Sequence, residues 1–443
     1  MNDSRANRAP HEIEVNGRTY RLPTEPVVIV CADGLDPAYL DAAFAANAAP
    51  YLRALAERGW RHVARSAMPS FTNPNNVSIL TGVAPAAHGI AGNYFYDPAS
   101  GNEVMMNDPR FLRVGTIPAA LATAGCRVAL VTAKDKLRRL LSHGLLDTDA
   151  ALCFSIESPS QAASGFLPAA SAEIYSAAAS EAVFAGGLNL LERWAPNLLY
   201  LSTTDYIQHM HAPDEPEAIG FVAMIDGYLA AMDAHGIRLV VTADHGMRAK
   251  TAPQGDPNII YVAEVLDHRL PAVETRVVLP ITDPYVRHHG ALGAFATVYF
   301  RNPGLLGAAR EIIATLPGID AVLTREEAAT ALELPADRIG DLCVLASADA
   351  VLGTRPAEHD LARLDRPLRS HGGRAEQTVP FVVNFELDAA FRVAALRNFD
   401  AFAAALHRDD GSAVPPSSRQ PLPQRRGEAL GAEHDDEDHD QQQ

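Results

Sequence analysis

Cysteine is scarce in this chain. Cys31, Cys126, Cys153 and Cys343 are the only four in 443 residues, and no two form a CxxC pair. Such spacing argues against a disulfide framework and against a cysteine-ligated zinc site; it reads as buried thiols in a reducing compartment. Long apolar runs are missing as well. The opening MNDSRANRAPHEIEVNG lacks the apolar stretch of a secretory leader. No later run reaches the ~20 apolar residues of a bilayer span. A cytoplasmic protein without a membrane partner is the expectation. A basic stripe is absent too: the net charge is -17, and EHDDEDHD at 433–440 supplies six of the acids. Nucleic acid is therefore not an expected partner. A small anionic substrate is still admissible, because bound cations reverse the local sign. There is no internal repeat.

What the chain does have is apolar substance, 48% of its residues. That supports a large core, read as one big domain with an insertion rather than a string of small modules. Short β-branched runs alternate with helical patterns. Strands are expected within 25–34, 59–69, the end of 116–135, 197–205 and 237–246. Helices are expected over 36–59 with an interruption near Pro50, just after Thr72, at the start of 116–135, over 169–194 with a break near Gly186–Gly187, and over 217–236. This alternation predicts an α/β fold with helices on both faces of a central sheet. Residues 264–368 depart from it. ATVYF, GAAREIIATL, TREEAATALEL and one long strand, DLCVLASADAVLG, read as an inserted α+β cap ahead of a final core strand, TVPFVVNF. The expected organisation is an N-terminal extension (1–24), a catalytic core (25–263 and 369–408), the inserted cap (264–368) and an acidic, disordered tail (409–443).

The chemistry lies in short segments that mostly follow apolar runs: Asp33 in VVIVCADG, Thr72 in MPSFTNPNN, Asp205 and His209 in STTDYIQHMH, Asp244 and His245 in VTADHGM, and His371 in SHGG. Ligands collect at the carboxyl ends of sheet strands. Asp205 and His209 are four apart and share one side of a helix. Asp244 and His245 would diverge on a strand, but a turn at its end brings both inward. Such oxygen and nitrogen donors suit zinc without excluding manganese or iron. A helix opening at Thr72 would aim its free N–H groups at an anion beside the hydroxyl. Together these residues point to a metallohydrolase with a threonine nucleophile. His88 in APAAHGI reads as structural, and His288-His289 as rim or packing residues of the cap.

These segments resemble the alkaline phosphatase superfamily, in its nucleotide pyrophosphatase/phosphodiesterase-like branch. Within that branch the pattern is similar to the phosphonoacetate hydrolase family. The resemblance runs from VNGRTYRLPTEPVVIVCADG through MPSFTNPNNVSILTGVAPAAHGIAGNYFYDP, VTAKDKLRRLL and TTDYIQHMHAPD to TADHGM and SHGG, over roughly residues 15–405. It implies an alkaline phosphatase-like core with a mostly parallel central sheet flanked by helices, plus a smaller α+β cap. It also implies two zinc ions per subunit, one held by Asp33, Asp244 and His245 and the other by Asp205, His209 and His371. Thr72 would be the nucleophile and bridge toward both ions, with Asn93, Lys134 and Lys136 contacting a small phosphonate. The implied reaction cleaves the carbon–phosphorus bond of phosphonoacetate through a phospho-threonine. A phosphodiesterase or nucleotide pyrophosphatase of the same superfamily is the enzyme alternative. A catalytically inactive metal-binding interaction protein is the alternative of another class. A homodimer fits the composition, although no interface is legible.

Overall fold

The computed structural model describes residues 11–407 apart from 146–149, 160, 162, 169–172, 174, 271–274, 282–289, 365 and 394. The expectations for 409–443 and for His288-His289 thus lie outside the described residues. Among these residues no helix is long and apolar enough to cross a membrane.

A seven-stranded sheet organises the fold. In spatial order its strands are Arg61–Arg65, Thr378–Val383, Arg238–Thr242, Val27–Cys31, Leu198–Ser202, Val128–Thr132 and Ala151–Ser155. Neighbours pair in parallel except at Thr378–Val383, which runs antiparallel to both of its partners. Every residue of Val27–Cys31, Val128–Thr132 and Leu198–Ser202 is buried. Such continuous apolar runs are what a parallel sheet covered on both faces requires. Helices Pro37–Ala45, Pro50–Glu57, Ala177–Arg193 and Pro216–Asp233 pack on one another, and Ala401–Leu406 lies against the central strands.

Register decides where the chemistry collects. Thr132 pairs with Ser202, Ser202 with Cys31, and Cys31 with Thr242. Four parallel strands therefore end in one row, and Asp33, Lys134, Asp205 and Asp244 follow within three residues of it. The reversed strand starts at this same end, so His371, a few residues before Thr378, arrives there too.

A second sheet is antiparallel and four-stranded, in the order Thr275–Val278, Phe295–Phe300, Leu342–Ala346, Ile319–Thr324. Its core includes Phe295, Val298, Val344 and Leu345 and is continuous with Met68, Phe71 and Val77 around the Thr72–Thr81 helix.

Two local expectations need correcting. Ala177–Arg193 is one unbroken helix through Gly186 and Gly187. The glycines do not break it because they admit neighbours: a Cβ on Gly187 would lie 2.8 Å from Leu201 Cδ2, and one on Gly186 2.9 Å from Leu167 Cδ2. DLCVLASADAVLG is two strands, Leu342–Ala346 and Val351–Gly353. Between them Ser347 Oγ donates to Asp349 Oδ1 (2.6 Å) and Ala350 N to Ser347 O (3.2 Å), a turn that sends the second piece to pair with Ile259–Tyr261.

Gly187→Val should cost about 1–3 kcal/mol by overpacking. Gly227→Ala, in a helix where an added Cβ meets nothing within 4 Å, should gain about 0.5–1 kcal/mol. Urea unfolding of both variants checks the pair; equal midpoints would refute the packing role of Gly187.

Candidate metal centre

Two triads of ligating side chains meet at the strand ends. Asp33, Asp244 and His245 form one, and Asp205, His209 and His371 the other; within each, one ligand atom per residue lies within 4.8 Å of the others, and all six residues are buried. Asp205 caps the short helix Tyr206–Met210, which lifts His209 onto the same side. The chain turns out of its strand at Thr242, so Asp244 and His245 both face inward. His371 is admitted by Gly372, whose φ is +115° and whose Cβ would overlap the Phe71 ring.

The three imidazoles are oriented alike. His209 Nδ1 donates to Arg369 O (2.8 Å), His245 Nδ1 to Gly246 O (2.9 Å) and His371 Nδ1 to Ser70 O (2.8 Å). A carbonyl can only accept, so each Nδ1 carries a hydrogen, and each Nε2 is the atom turned toward the site and the one a cation would take. This backbone hold on the far nitrogen is the usual support of a metal-binding histidine. Those Nε2 atoms face carboxylates: His209 stands 2.9 Å from Asp205 Oδ2, His371 3.8 Å from the same oxygen, and His245 3.3 Å from Asp33 Oδ1. The His245 and His371 rings stack at 3.5 Å.

Both carboxylate oxygens of Asp33 are buried without a hydrogen bond. Burial, then Asp205 and Asp244, push its carboxyl well above the ordinary 3.8. Burial opposes ionisation of Asp205 too, but Lys134 and His209 hold it well below the usual carboxylate range. His371 is kept neutral by burial and by His245 and His209. Buried carboxylates this close together, two of whose oxygens lack a hydrogen bond, are what bound cations resolve. The donor set fits two divalent ions on oxygen and nitrogen ligands.

Thr72 opens the Thr72–Thr81 helix, and its Oγ1 lies 3.4 Å from His245 Nε2. The Lys134 ammonium stands 3.2 Å from Asp205 Oδ1 and 3.5 Å from Asp33 Oδ2, with its side chain 26% exposed. Burial would pull its pKa down, yet Asp205 and Asp33 drive it well above normal. Lys136 lies on a helix rather than on a strand. The strand ends at Thr132, Lys134 caps the helix Asp135–Leu141, and Lys136 is its second residue, half-buried. Asn93 is tied to the second unit: its N donates to Pro280 O (2.8 Å) and its Nδ2 to Ile281 O (3.0 Å). His88 is structural, holding Ser78 Oγ (2.9 Å) and Ile90 N (3.1 Å); burial, then Arg338, lower its pKa to about 3.

Several supporting residues had not been singled out. Asn76 Nδ2 reaches Asp244 Oδ2 (3.3 Å) and Thr72 O (3.1 Å), while its Oδ1 accepts from Tyr200 (2.7 Å) and Ser202 (2.9 Å). Thr203 Oγ1 accepts from Asp33 N (2.9 Å), and Asn73 Nδ2 donates to Asn93 Oδ1 (2.9 Å). The i,i+4 spacing from Thr72 to Asn76 was the available signal.

The family model for type I phosphodiesterase / nucleotide pyrophosphatase matches residues 27–374. The chain belongs to this family. With it comes membership of the alkaline phosphatase superfamily, whose members are metal-dependent. Crystal structures of a phosphonoacetate hydrolase from Sinorhizobium meliloti 1021, in complex with phosphonoformate and with phosphonoacetate, are 51% identical to this family member. Each covers 89% of this chain and 98% of its own, with a TM-score of 0.86. Murine ectonucleotide pyrophosphatase/phosphodiesterase 5 shares the fold at 16% identity and a TM-score of 0.58, covering 86% of this chain and 93% of its own. An uncharacterised pyrophosphatase/phosphodiesterase of Schizosaccharomyces pombe is 38% identical over 85 residues, 19% of this chain and 16% of that protein.

Because Asp33 must give up a proton to hold an ion, metal affinity should fall on acidification well above the ordinary carboxylate value of 3.8. His371 is already neutral and adds no such competition. Zinc titrations against a competing chelator from pH 8 downward test this; affinity unchanged down to about pH 5 would contradict a raised Asp33 pKa.

Proposed function

We propose that this chain is a phosphonoacetate hydrolase that converts phosphonoacetate to acetate and phosphate. The observation that carries the reading is 51% identity, over 98% of its length, to an enzyme of that name crystallised with phosphonoacetate. On this reading Asp33, Asp244 and His245 hold one zinc ion, and Asp205, His209 and His371 a second. We assign residues 25–263 and 369–408 to the catalytic core, 264–368 to an inserted cap and 1–24 to an N-terminal extension. The expected setting is the cytoplasm, the expected assembly a homodimer, and the partner a small phosphonate rather than nucleic acid or membrane.

When bound, the ions lower the pKa of the Thr72 hydroxyl and of water and offset charge on the phosphonyl oxygens. Thr72 Oγ1, its proton given up to solvent, attacks phosphorus in line with the carbon leaving group. The backbone N–H groups at the start of its helix and the Asn93 amide hold the remaining phosphonyl oxygens. As the phosphorus–carbon bond breaks, its electron pair passes to the methylene carbon and spreads into the carboxylate as an enediolate. Lys134 and Lys136 counter that charge. The carbon then takes a proton to leave as acetate, and water hydrolyses the phospho-threonine to release phosphate and restore Thr72.

The family model also describes phosphodiesterases, so ester cleavage is the competing reading. Zinc-loaded protein should release phosphate and acetate from phosphonoacetate one for one, with much poorer release of nitrophenol from a nitrophenyl phosphodiester. Efficient diester cleavage without acetate would overturn the hydrolase reading in favour of the phosphodiesterase. Thr72→Ala should still take up zinc through the six other ligands and lose about a thousandfold or more in kcat. Lys134→Met should lose about a hundredfold on phosphonoacetate, about 2.7 kcal/mol of transition-state stabilisation, while largely sparing the nitrophenyl diester, whose leaving group needs no lysine. Equal losses on both substrates would remove the leaving-group role of Lys134.

A further inference from the structure

Lysine occurs only three times in the chain, and arginine supplies the other 34 of 37 basic residues. Lys134 and Lys136 belong to the proposed substrate site. The third, Lys250, lies outside it and is wholly enclosed. Its Nζ donates to Glu376 Oε1 (2.8 Å) and to Ala348 O (2.9 Å), and neither Lys250 nor Glu376 has an exposed side chain. A buried ion pair is weak evidence for stability, since apolar residues of similar volume often do as well. Its connections are more telling.

The second carboxylate oxygen of Glu376, Oε2, accepts from Gly373 N (2.9 Å), two residues after His371. The Glu376 carbonyl accepts from Gly246 N (2.7 Å), directly after His245. Between those glycines Arg248 and Ala249 pair with Ser370 and Arg369, and Lys250 N donates to Leu368 O (2.8 Å). A closed ring results. It runs from His245 along the chain to Lys250, across the ion pair to Glu376, and back through Gly373 to His371, whose imidazole stacks on that of His245 at 3.5 Å. Ala348, gripped by the same ammonium, belongs to the turn following the Leu342–Ala346 strand of the second sheet. A compact ammonium with three donors can serve two acceptors in such a space, whereas a planar guanidinium needs a wider one.

We propose that Lys250 and Glu376 are positioning residues for the metal centre. The ion pair sets the spacing between the two histidine loops, and with it the affinity for the ions. This inference rests on the two-ion reading above, and a wild-type chain that takes up no zinc would remove that reading before any variant is compared.

Two double variants, both without the charges, separate positioning from simple stabilisation. Lys250→Met with Glu376→Leu removes the acceptor for Gly373 N, whereas Lys250→Met with Glu376→Gln keeps one. With folding verified by circular dichroism, chelator competition should show zinc affinity about 10–100-fold weaker in the first and weakened by less in the second, which loses the ion pair but keeps the link to Gly373 N. Wild-type affinity in both would overturn the proposal and leave the pair a purely structural role. Should the variants fail to fold, hydrogen exchange on the unaltered protein decides. The amides of 246–250 and 371–376 should open at one common rate without metal and slow together when zinc is added. Independent rates in the two segments would overturn the proposal.

Discussion

Three carboxylates, Asp33, Asp205 and Asp244, are buried together at one end of the sheet, and much of the structure answers the cost of that crowding. No apolar core tolerates such charge unpaired. Lys134 sits between Asp33 and Asp205. Asp244 Oδ1 takes the N–H groups of Gly34 and His245 (3.1 and 3.0 Å), and its Oδ2 takes Asn76. Both oxygens of Asp33 are left without a hydrogen bond. The residual charge and the three inward-facing Nε2 atoms belong to a centre completed by cations. A site shaped for cations is poorly neutralised without them, so the strain it carries is also the source of its affinity.

Holding that arrangement is a matter of register. Had the Val27–Cys31 strand slipped by one residue against either neighbour, Asp33 would have pointed away from Asp244 and Asp205. Complete burial of these strands on both faces makes such a slip costly. The one reversed strand matters equally: only an antiparallel Thr378–Val383 brings the segment before it, with His371 and Glu376, to the end of the sheet where the parallel strands finish.

The principal strands were legible because each is a short apolar run, most of them β-branched, followed by an acid or a turn residue. For the same reason the seven residues read as ligands and nucleophile could be named in advance, and the structure brings them together. Their supports could not. Asn76, Thr203 and Asn73 are ordinary polar residues until tertiary packing supplies their partners, and Lys250 and Glu376 are 126 positions apart. Gly186 and Gly187 misled because a glycine pair lowers helix propensity in isolation, whereas here close packing against Leu167 and Leu201 outweighs it. The single strand expected over 341–353 failed on a four-residue turn, 347–350, whose only local signal was Ser347 and Asp349.

Thr72 and Asn93, the nucleophile and substrate contact of the proposed reaction, stand where the two cores meet, and this bears on selectivity. Phe71, immediately before Thr72, is packed edge-on against Phe295 of the second sheet at 6.3 Å. Asn93 is held from one side by Asn73, next to the nucleophile, and from the other by the carbonyls of Pro280 and Ile281. The Ile281 carbonyl can only accept, so the nitrogen of the Asn93 amide must face it, and the Asn93 oxygen is left to Asn73. The amide is thereby fixed, with one N–H left for an anion among the described residues. The candidate metal ligands come from the ends of the main sheet, whereas the group that would orient the phosphonyl oxygens is aimed by the second unit. Changes in that second unit can therefore alter which substrate is accepted while leaving the metal centre intact, which is how one metal-binding core can serve both diester and phosphonate chemistry.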